Sequence, residues 1–144
     1  MQTVVFDKNI QPSELQKVSE HTMVDHLGIE FMEIGDNYLT AKMPVDHRTI
    51  QPMGLLHGGA SVVLAETLGS VASSIIVDKD KSYCVGLEIN ANHIKSAKDG
   101  FVTGKVTPIH IGRKTHVWDI KITNDNNALV CISRLTVAIL DIKK

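Results

Sequence analysis

Residues 55–77 read LLHGGASVVLAETLGSVASSIIV, an apolar run in which Glu66 is the only side chain with a formal charge at neutral pH. The run is long enough to cross a bilayer. Its composition argues otherwise. An ionised carboxylate near the centre of a span is costly, and Gly58, Gly59 and Gly69 with Ser61, Ser70, Ser73 and Ser74 dilute the hydrophobicity. The better reading is a core helix from about Gly58 to about Val77. A helix that is apolar nearly all round has to be enclosed by other elements, so the rest of the chain must supply the enclosure.

That enclosure reads as antiparallel sheet. Residues 38–45 (YLTAKMPV) alternate Leu39, Ala41, Met43 and Val45 against Tyr38, Thr40 and Lys42, the pattern of a half-buried strand. A weaker strand precedes it in GIEFMEIGDN, with a turn at residues 35–37. After the helix come four strands in succession. In residues 83–95, Tyr83, Val85, Leu87, Ile89 and Ala91 fall on one face and Gly86, Glu88, Asn90 and Asn92 on the other. Asp99-Gly100 is a hairpin signal. Strands over 101–111 and 114–123 flank Gly112-Arg113, and a last strand runs over 128–140. Ahead of all this, residues 13–28 predict one short amphipathic helix, capped by Ser13, carrying Leu15, Val18, Met23 and Leu27 inward, and ended by Gly28. The whole predicts an α+β fold in which about five curved strands wrap one long helix, in a single domain over residues 1–144. The sheet's edge strands would be left for a dimer to pair or cover.

Bulk properties narrow the function. A net charge of −1, from 15 basic and 16 acidic residues, argues against nucleic acid or an anionic membrane as the main partner. Cys84 and Cys131 are far apart and in no CxxC or zinc spacing, which predicts two buried free thiols in a reducing cytoplasm. The N-terminus shows no basic segment followed by an apolar run, so no signal peptide is expected. His21, His26, His47, His110 and His116 show no metal-ligand spacing, and no metal site is expected.

Chemistry gathers around the helix start. Gly59, Val62, Glu66 and Ser70 share one stripe at helical spacing. The first backbone N–H groups of a helix have no partner within it and carry partial positive charge, which suits an oxyanion or a polarised carbonyl. Gln51 and His57 stand just ahead of them on a loop. An acid, a donor pair and polar helpers are the parts needed for acyl hydrolysis. Each also has a plainer reading: Glu66 paired with a distant Arg or Lys, His57 as a cap, Ser70 bonded to its own backbone. Spacing alone indicates a site without naming its reaction.

The segments QPMGLLHGGASVVLAETLGSVAS, VGLEINANHIKSAKDG, PIHIGRKTHVW and SRLTVAIL resemble the hotdog-fold acyl-CoA thioesterases of the PaaI-like group over about residues 13–140. The resemblance is closest to the bacterial subgroup acting on 1,4-dihydroxy-2-naphthoyl-CoA in menaquinone synthesis or on aryl thioesters in siderophore synthesis. It implies the hotdog fold, with Glu66 as catalytic acid, Gln51 as loop helper, the Gly58 N–H next to His57 as the group polarising the thioester carbonyl, and Ser70 as helper hydroxyl. It implies substrate and CoA contacts from Val85, from Asn92, His93, Ile94 and Lys95, and from the hairpin of Ile109, His110, Ile111, Gly112, Arg113 and Lys114, whose Lys and Arg suit phosphates. Met53 stands where close relatives often carry Phe.

The resemblance further implies a homodimer or a dimer-of-dimers tetramer, a cytoplasmic enzyme, and no cofactor, CoA being part of the substrate. Two other classes are weighed against hydrolysis. A hotdog hydratase or dehydratase would want a His–acid pair poised for C–H chemistry, whereas His57 is followed by Gly-Gly at the donor position. A non-catalytic acyl-CoA binding module would carry a further partner domain, for which this chain has no room.

Overall fold

The computed structural model describes residues 6–143. In chain order the elements are α1 (Pro12–Val18), α2 (Met23–His26), β1 (Glu30–Ile34), β2 (Leu39–Pro44), α3 (Gly58–Ile76), β3 (Ser82–His93), β4 (Phe101–Ile111), β5 (Thr115–Asn124) and β6 (Leu129–Asp141). The strands form one antiparallel sheet in the order β1-β2-β4-β5-β6-β3. It has six strands where the alternation suggested about five. Its last four strands are not one meander. β4, β5 and β6 follow one another, but β3, which precedes them in the chain, joins at the far side of β6.

Helix α3 lies against β2, β3, β4, β5 and β6. Its buried stripe comprises Ser61, Leu64, Ala65, Leu68, Gly69, Ala72 and Ser73, spaced at three and four residues. Facing it, Leu39, Ala41, Met43, Val102, Val106, Trp118, Ile120, Ile122, Leu135 and Val137 come from alternate positions on four of the strands, β2, β4, β5 and β6, and complete the core. α3 is therefore the core helix, packed across one sheet. Burying a side chain such as Leu64 or Leu68 stabilises the fold by about 1.5–3 kcal/mol each. The opposite stripe, with Val62, Val63, Glu66, Ser70 and Val71, is only half-buried, so the sheet of one chain does not enclose the helix completely.

Two local expectations fail for identifiable reasons. The single helix over residues 13–28 is two short ones. α1 begins one residue earlier, with Gln11 at the cap and Pro12 in the first turn, where proline's missing N–H costs nothing. It stops because the Ser19 hydroxyl donates to the Leu15 carbonyl, the Thr22 hydroxyl donates to the Ser19 carbonyl, and His21 adopts φ 62. Leu15 is buried, but Val18 and Met23 are exposed. Gly28, at φ 72, does end α2.

The second departure is in β3. Gly86 pairs with Val137 and Glu88 with Thr136, leaving Leu87 in a bulge. The extra residue switches the faces. Before the bulge Cys84 packs against the core while Tyr83 and Val85 face out; after it Ile89 and Ala91 pack inward. Tyr83, Val85 and Leu87 are consequently 49%, 41% and 65% exposed. They do not share the inward face with Ile89 and Ala91. The outer edge of β3 pairs with no other strand among the described residues. Both cysteines are free thiols, Cys131 buried and Cys84 half-buried, and burial raises both above the usual thiol range.

Candidate active site

The loop before α3 is held by its own polar groups. The Arg48 guanidinium pairs with Asp46 at 2.7 Å, and the Thr49 hydroxyl donates to the Pro44 carbonyl at 2.7 Å. Hydrogen bonding to Arg48 lowers the Asp46 carboxyl to about 2. The His57 N–H donates to the Thr49 carbonyl, and Leu56 N–H to that of Ala97, so the chain enters the helix tied to both flanks. His57 is the N-cap: its Nδ1 accepts the Gly59 N–H at 2.8 Å, which places the imidazole proton on Nε2.

Ala60 and Ser61 N–H groups turn to the His57 carbonyl. Among the described residues no acceptor takes the Gly58 N–H. It is the free donor of the first turn. A Cβ at Gly58 would lie 2.7 Å from His93 Nε2, so the His93 ring sits directly over this glycine. Gln51, Gly58, His93, Ile94 and Lys95 line one cavity of about 310 Å³, completed by Leu55, Leu56, Ser61, Ser96, Ala97 and Val130. The Gln51 Oε1 accepts the Met53 N–H. Its NH₂ end is the one left to donate elsewhere.

Glu66 lies two turns further along α3, about 12 Å along the axis. It is half-buried. No donor and no cation bonds its carboxylate among the described residues, which disposes of an Arg or Lys partner within them. Its Oε1 rests against the backbone of Gly86 so closely that a Cβ there would collide with it. Ser70, one turn beyond, lines a different cavity of about 450 Å³ with Val71, Ser74, Val77, Lys79, Ser82, Tyr83, Cys84 and Ile142. One chain therefore gathers Gln51 and Gly58 at one end of the helix, and Glu66 and Ser70 two and three turns away, with no shared cavity. His57 stands apart from the first group too, lining a shallow recess with Arg48, Gly59 and Val63.

The remaining residues divide similarly. Asn92 and His93 end β3, and Ile94 and Lys95 continue from it, both N–H groups donating to the Val130 carbonyl. Ile109, His110 and Ile111 end β4, all exposed, and Gly112, Arg113 and Lys114 form the turn to β5. Lys114 Nζ is 2.8 Å from Asp141 Oδ2 and holds that carboxyl below the usual range. Neither Arg113 nor Lys95 pairs with a carboxylate among the described residues. Val85 faces outward on the edge strand, on the other side of β3 from Glu66. No group of three His, Cys, Asp or Glu side chains that could hold a metal occurs among the described residues.

Sequence reasoning missed Gly86 as the seat of the acid. The signal was present: a lone glycine inside an alternating strand marks a bulge or a close approach, and Gly86 has both at once.

A long helix laid across an antiparallel sheet, in this strand order, is the hotdog fold. A crystal structure of a mutant of the Pseudomonas aeruginosa thioesterase PA1618 superposes with a TM-score of 0.94 at 48% identity, covering 96% of this chain and 99% of that one. The chain belongs to the thioesterase superfamily, whose profile matches residues 53–131, and it is a thioester hydrolase. Among curated relatives, an Escherichia coli K12 protein named 1,4-dihydroxy-2-naphthoyl-CoA hydrolase is 50% identical over 137 residues, 95% of this chain and 100% of the relative. A Vibrio cholerae relative whose name goes no further than esterase is 53% identical over 135 residues, 94% of this chain and 89% of its own length.

Proposed function

We propose that this enzyme hydrolyses aromatic acyl-CoA thioesters of the 1,4-dihydroxy-2-naphthoyl type, at sites shared between two subunits. The observation that carries the reading is the separation on α3 of two unsatisfied groups, the Gly58 N–H and the Glu66 carboxylate. A half-buried acid without a partner is unfavourable. It stands beside Gly86 on a strand whose outer edge is free and apolar. Pairing two such edges covers Tyr83, Val85 and Leu87 and brings a second loop and helix start toward the acid. The E. coli relative's name supplies the aromatic acyl group.

In the assembled site the Gly58 N–H and the Gln51 NH₂ of one subunit polarise the thioester carbonyl. Glu66 of the other takes a proton from water as the water oxygen bonds to the carbonyl carbon, and the oxyanion collapses with cleavage of the C–S bond, the proton passing to the departing CoA sulfur. Attack by the carboxylate itself instead expels CoA as the thiolate, which takes a proton from solvent, and leaves an acyl–glutamyl anhydride that water hydrolyses to the free acid and the restored Glu66. Ser70 bonds the attacking water. His57 caps the helix and so keeps the Gly58 N–H free. Lys95, Arg113 and Lys114 meet the CoA phosphates. The reaction needs no cofactor, and the working unit is a cytoplasmic homodimer or dimer of dimers.

A screen of aromatic and aliphatic acyl-CoAs, read as free thiol, tests the substrate class. The highest kcat/KM should fall on a hydroxylated naphthoyl or benzoyl ester. A clear preference for medium or long aliphatic chains would overturn the aromatic assignment while leaving hydrolysis intact.

A further inference from the structure

Six polar side chains are buried among the described residues: Ser19, Thr49, Ser61, Ser73, His116 and Ser133. Five are satisfied within the protein. The hydroxyls of Ser19, Thr49 and Ser133 donate to the carbonyls of Leu15, Pro44 and Asn90. Ser73 Oγ accepts the Trp118 Nε1–H at 2.8 Å and lies 2.9 Å from His116 Nδ1. Ser61 is the exception. It is 1% exposed, yet its hydroxyl bonds no group among the described residues. Buried polar groups are hydrogen-bonded as a rule, and one that is not calls for a reason.

The local backbone accounts for the free hydroxyl. A serine in a helix ordinarily bonds back to the carbonyl four residues before it. For Ser61 that is the His57 carbonyl, which already accepts the N–H groups of Ala60 and Ser61 at 3.0 and 3.3 Å. No fully enclosed side-chain oxygen or nitrogen lacks a partner among the described residues, so the small exposed part of Ser61 includes its oxygen. The space it meets is the cavity of about 310 Å³ that it shares with Gln51, Gly58, His93 and Lys95. Ser61 follows Gly58 by three residues, about 4.5 Å along the helix axis.

In the function proposed above, the thioester carbonyl meets the Gly58 N–H and the CoA phosphates meet Lys95. Both residues line this one cavity. The part of the substrate that joins carbonyl to phosphate is the pantetheine arm, and its first amide stands two methylenes beyond the sulfur. A hydroxyl donates and accepts, so it suits either end of an amide. We propose that Ser61 is a substrate-binding residue whose hydroxyl, on the inner wall of the Gly58 cavity, hydrogen-bonds the first amide of the pantetheine arm. The inference rests on the reading of this cavity as the seat of the thiol half of the thioester, and the experiment separates the two.

Steady-state kinetics are measured with three thioesters of one aromatic acid. The CoA ester carries the whole arm, the N-acetylcysteamine ester keeps the first amide without the nucleotide, and the S-ethyl ester lacks both. Ser61→Ala should lower kcat/KM roughly 5–10-fold for the first two, the scale of one lost hydrogen bond. For the S-ethyl ester the change should stay within about twofold. The melting temperature should match wild type, because the hydroxyl bonds nothing in the protein. Ser61→Cys keeps the bulk of the side chain but puts a weak donor in place of a strong one, and should behave as Ser61→Ala does.

Equal losses on all three esters, or a loss on none, would overturn the proposal. So would wild-type values in Ser61→Cys beside a loss in Ser61→Ala, which would assign the effect to the shape of the cavity. Lys95→Ala is the control and should raise KM for the CoA ester alone. If it does, and Ser61→Ala shows no dependence on the ester, the Ser61 role fails by itself; if neither variant distinguishes the esters, the reading of the cavity and the Ser61 role fail together.

Discussion

Gly86→Ala isolates the contact between the candidate acid and the sheet. The new methyl would stand well inside the 3.4–4 Å of ordinary van der Waals contact with Glu66 Oε1. Its neighbour is the end of a flexible side chain, so the carboxylate moves and the backbone stays. Gly86 has no positive φ to lose, and Gly→Ala at a compatible position stabilises by about 0.4–1 kcal/mol through the unfolded chain. The melting temperature should therefore hold or rise slightly. Catalysis should not hold. Clearing the methyl displaces the carboxylate by about 1 Å, and an error of that size costs about 10²-fold in rate. The assay is kcat by free-thiol release beside a thermal melt. KM for the CoA ester should change little, because Glu66 acts on the reacting carbon and not on the nucleotide. A folded Gly86→Ala enzyme with wild-type kcat would show that the place against Gly86 is not the working position of Glu66.

Other outcomes follow from the same geometry. Glu66→Gln should keep the fold and lower kcat by about 10²–10⁴-fold, the range for a positioned acid–base group, as read by the same thiol assay. Leu68→Ala removes a fully buried side chain at the helix–sheet contact and should cost about 2–5 kcal/mol in chemical denaturation. Burial, with His110 nearby, holds the folded His116 below its ordinary value of 6.5. The unfolded chain then binds this proton first as pH falls. Stability is lost from about pH 6.5 downward until the folded group also titrates. Melts at pH 7.5 and 5.5 should show a smaller acid loss in His116→Gln than in wild type.

What could be read before the fold was seen, and what could not, divides along physical lines. The boundaries of α3 were legible because a His-Gly-Gly start and a charged VDKDKS segment bracket an apolar run. β2 was legible because Leu39, Ala41 and Met43 alternate without interruption and all prove buried. The break between α1 and α2 was not, since it depends on hydroxyl-to-carbonyl bonds of Ser19 and Thr22 that compete with a helical pattern. The facing of Tyr83 and Val85 was misjudged because one bulged residue, Leu87, inverts a period-two pattern. The seat of β3 beyond β6 is a long-range pairing that no local signal encodes. At the site, residue types and helix spacing identified the donor and the acid. Their separation, with Gly58 in the cavity beside His93 and Glu66 two turns away against Gly86, is a property of the folded chain and appears only there.

Subunit mixing decides whether the Gln51–Gly58 loop of one subunit and Glu66 of the other form one site. Glu66→Gln and His57→Ala are each made, each confirmed folded and of low activity, then unfolded together and refolded. In a mixed dimer one site collects both substitutions and the other collects neither. Thiol release should recover in the mixture to a substantial fraction of wild type, while each variant refolded alone stays at its own low rate. A purified mixed dimer no more active than its parents would contradict a shared site, and would place Glu66 and the Gly58 donor of a working site within one chain.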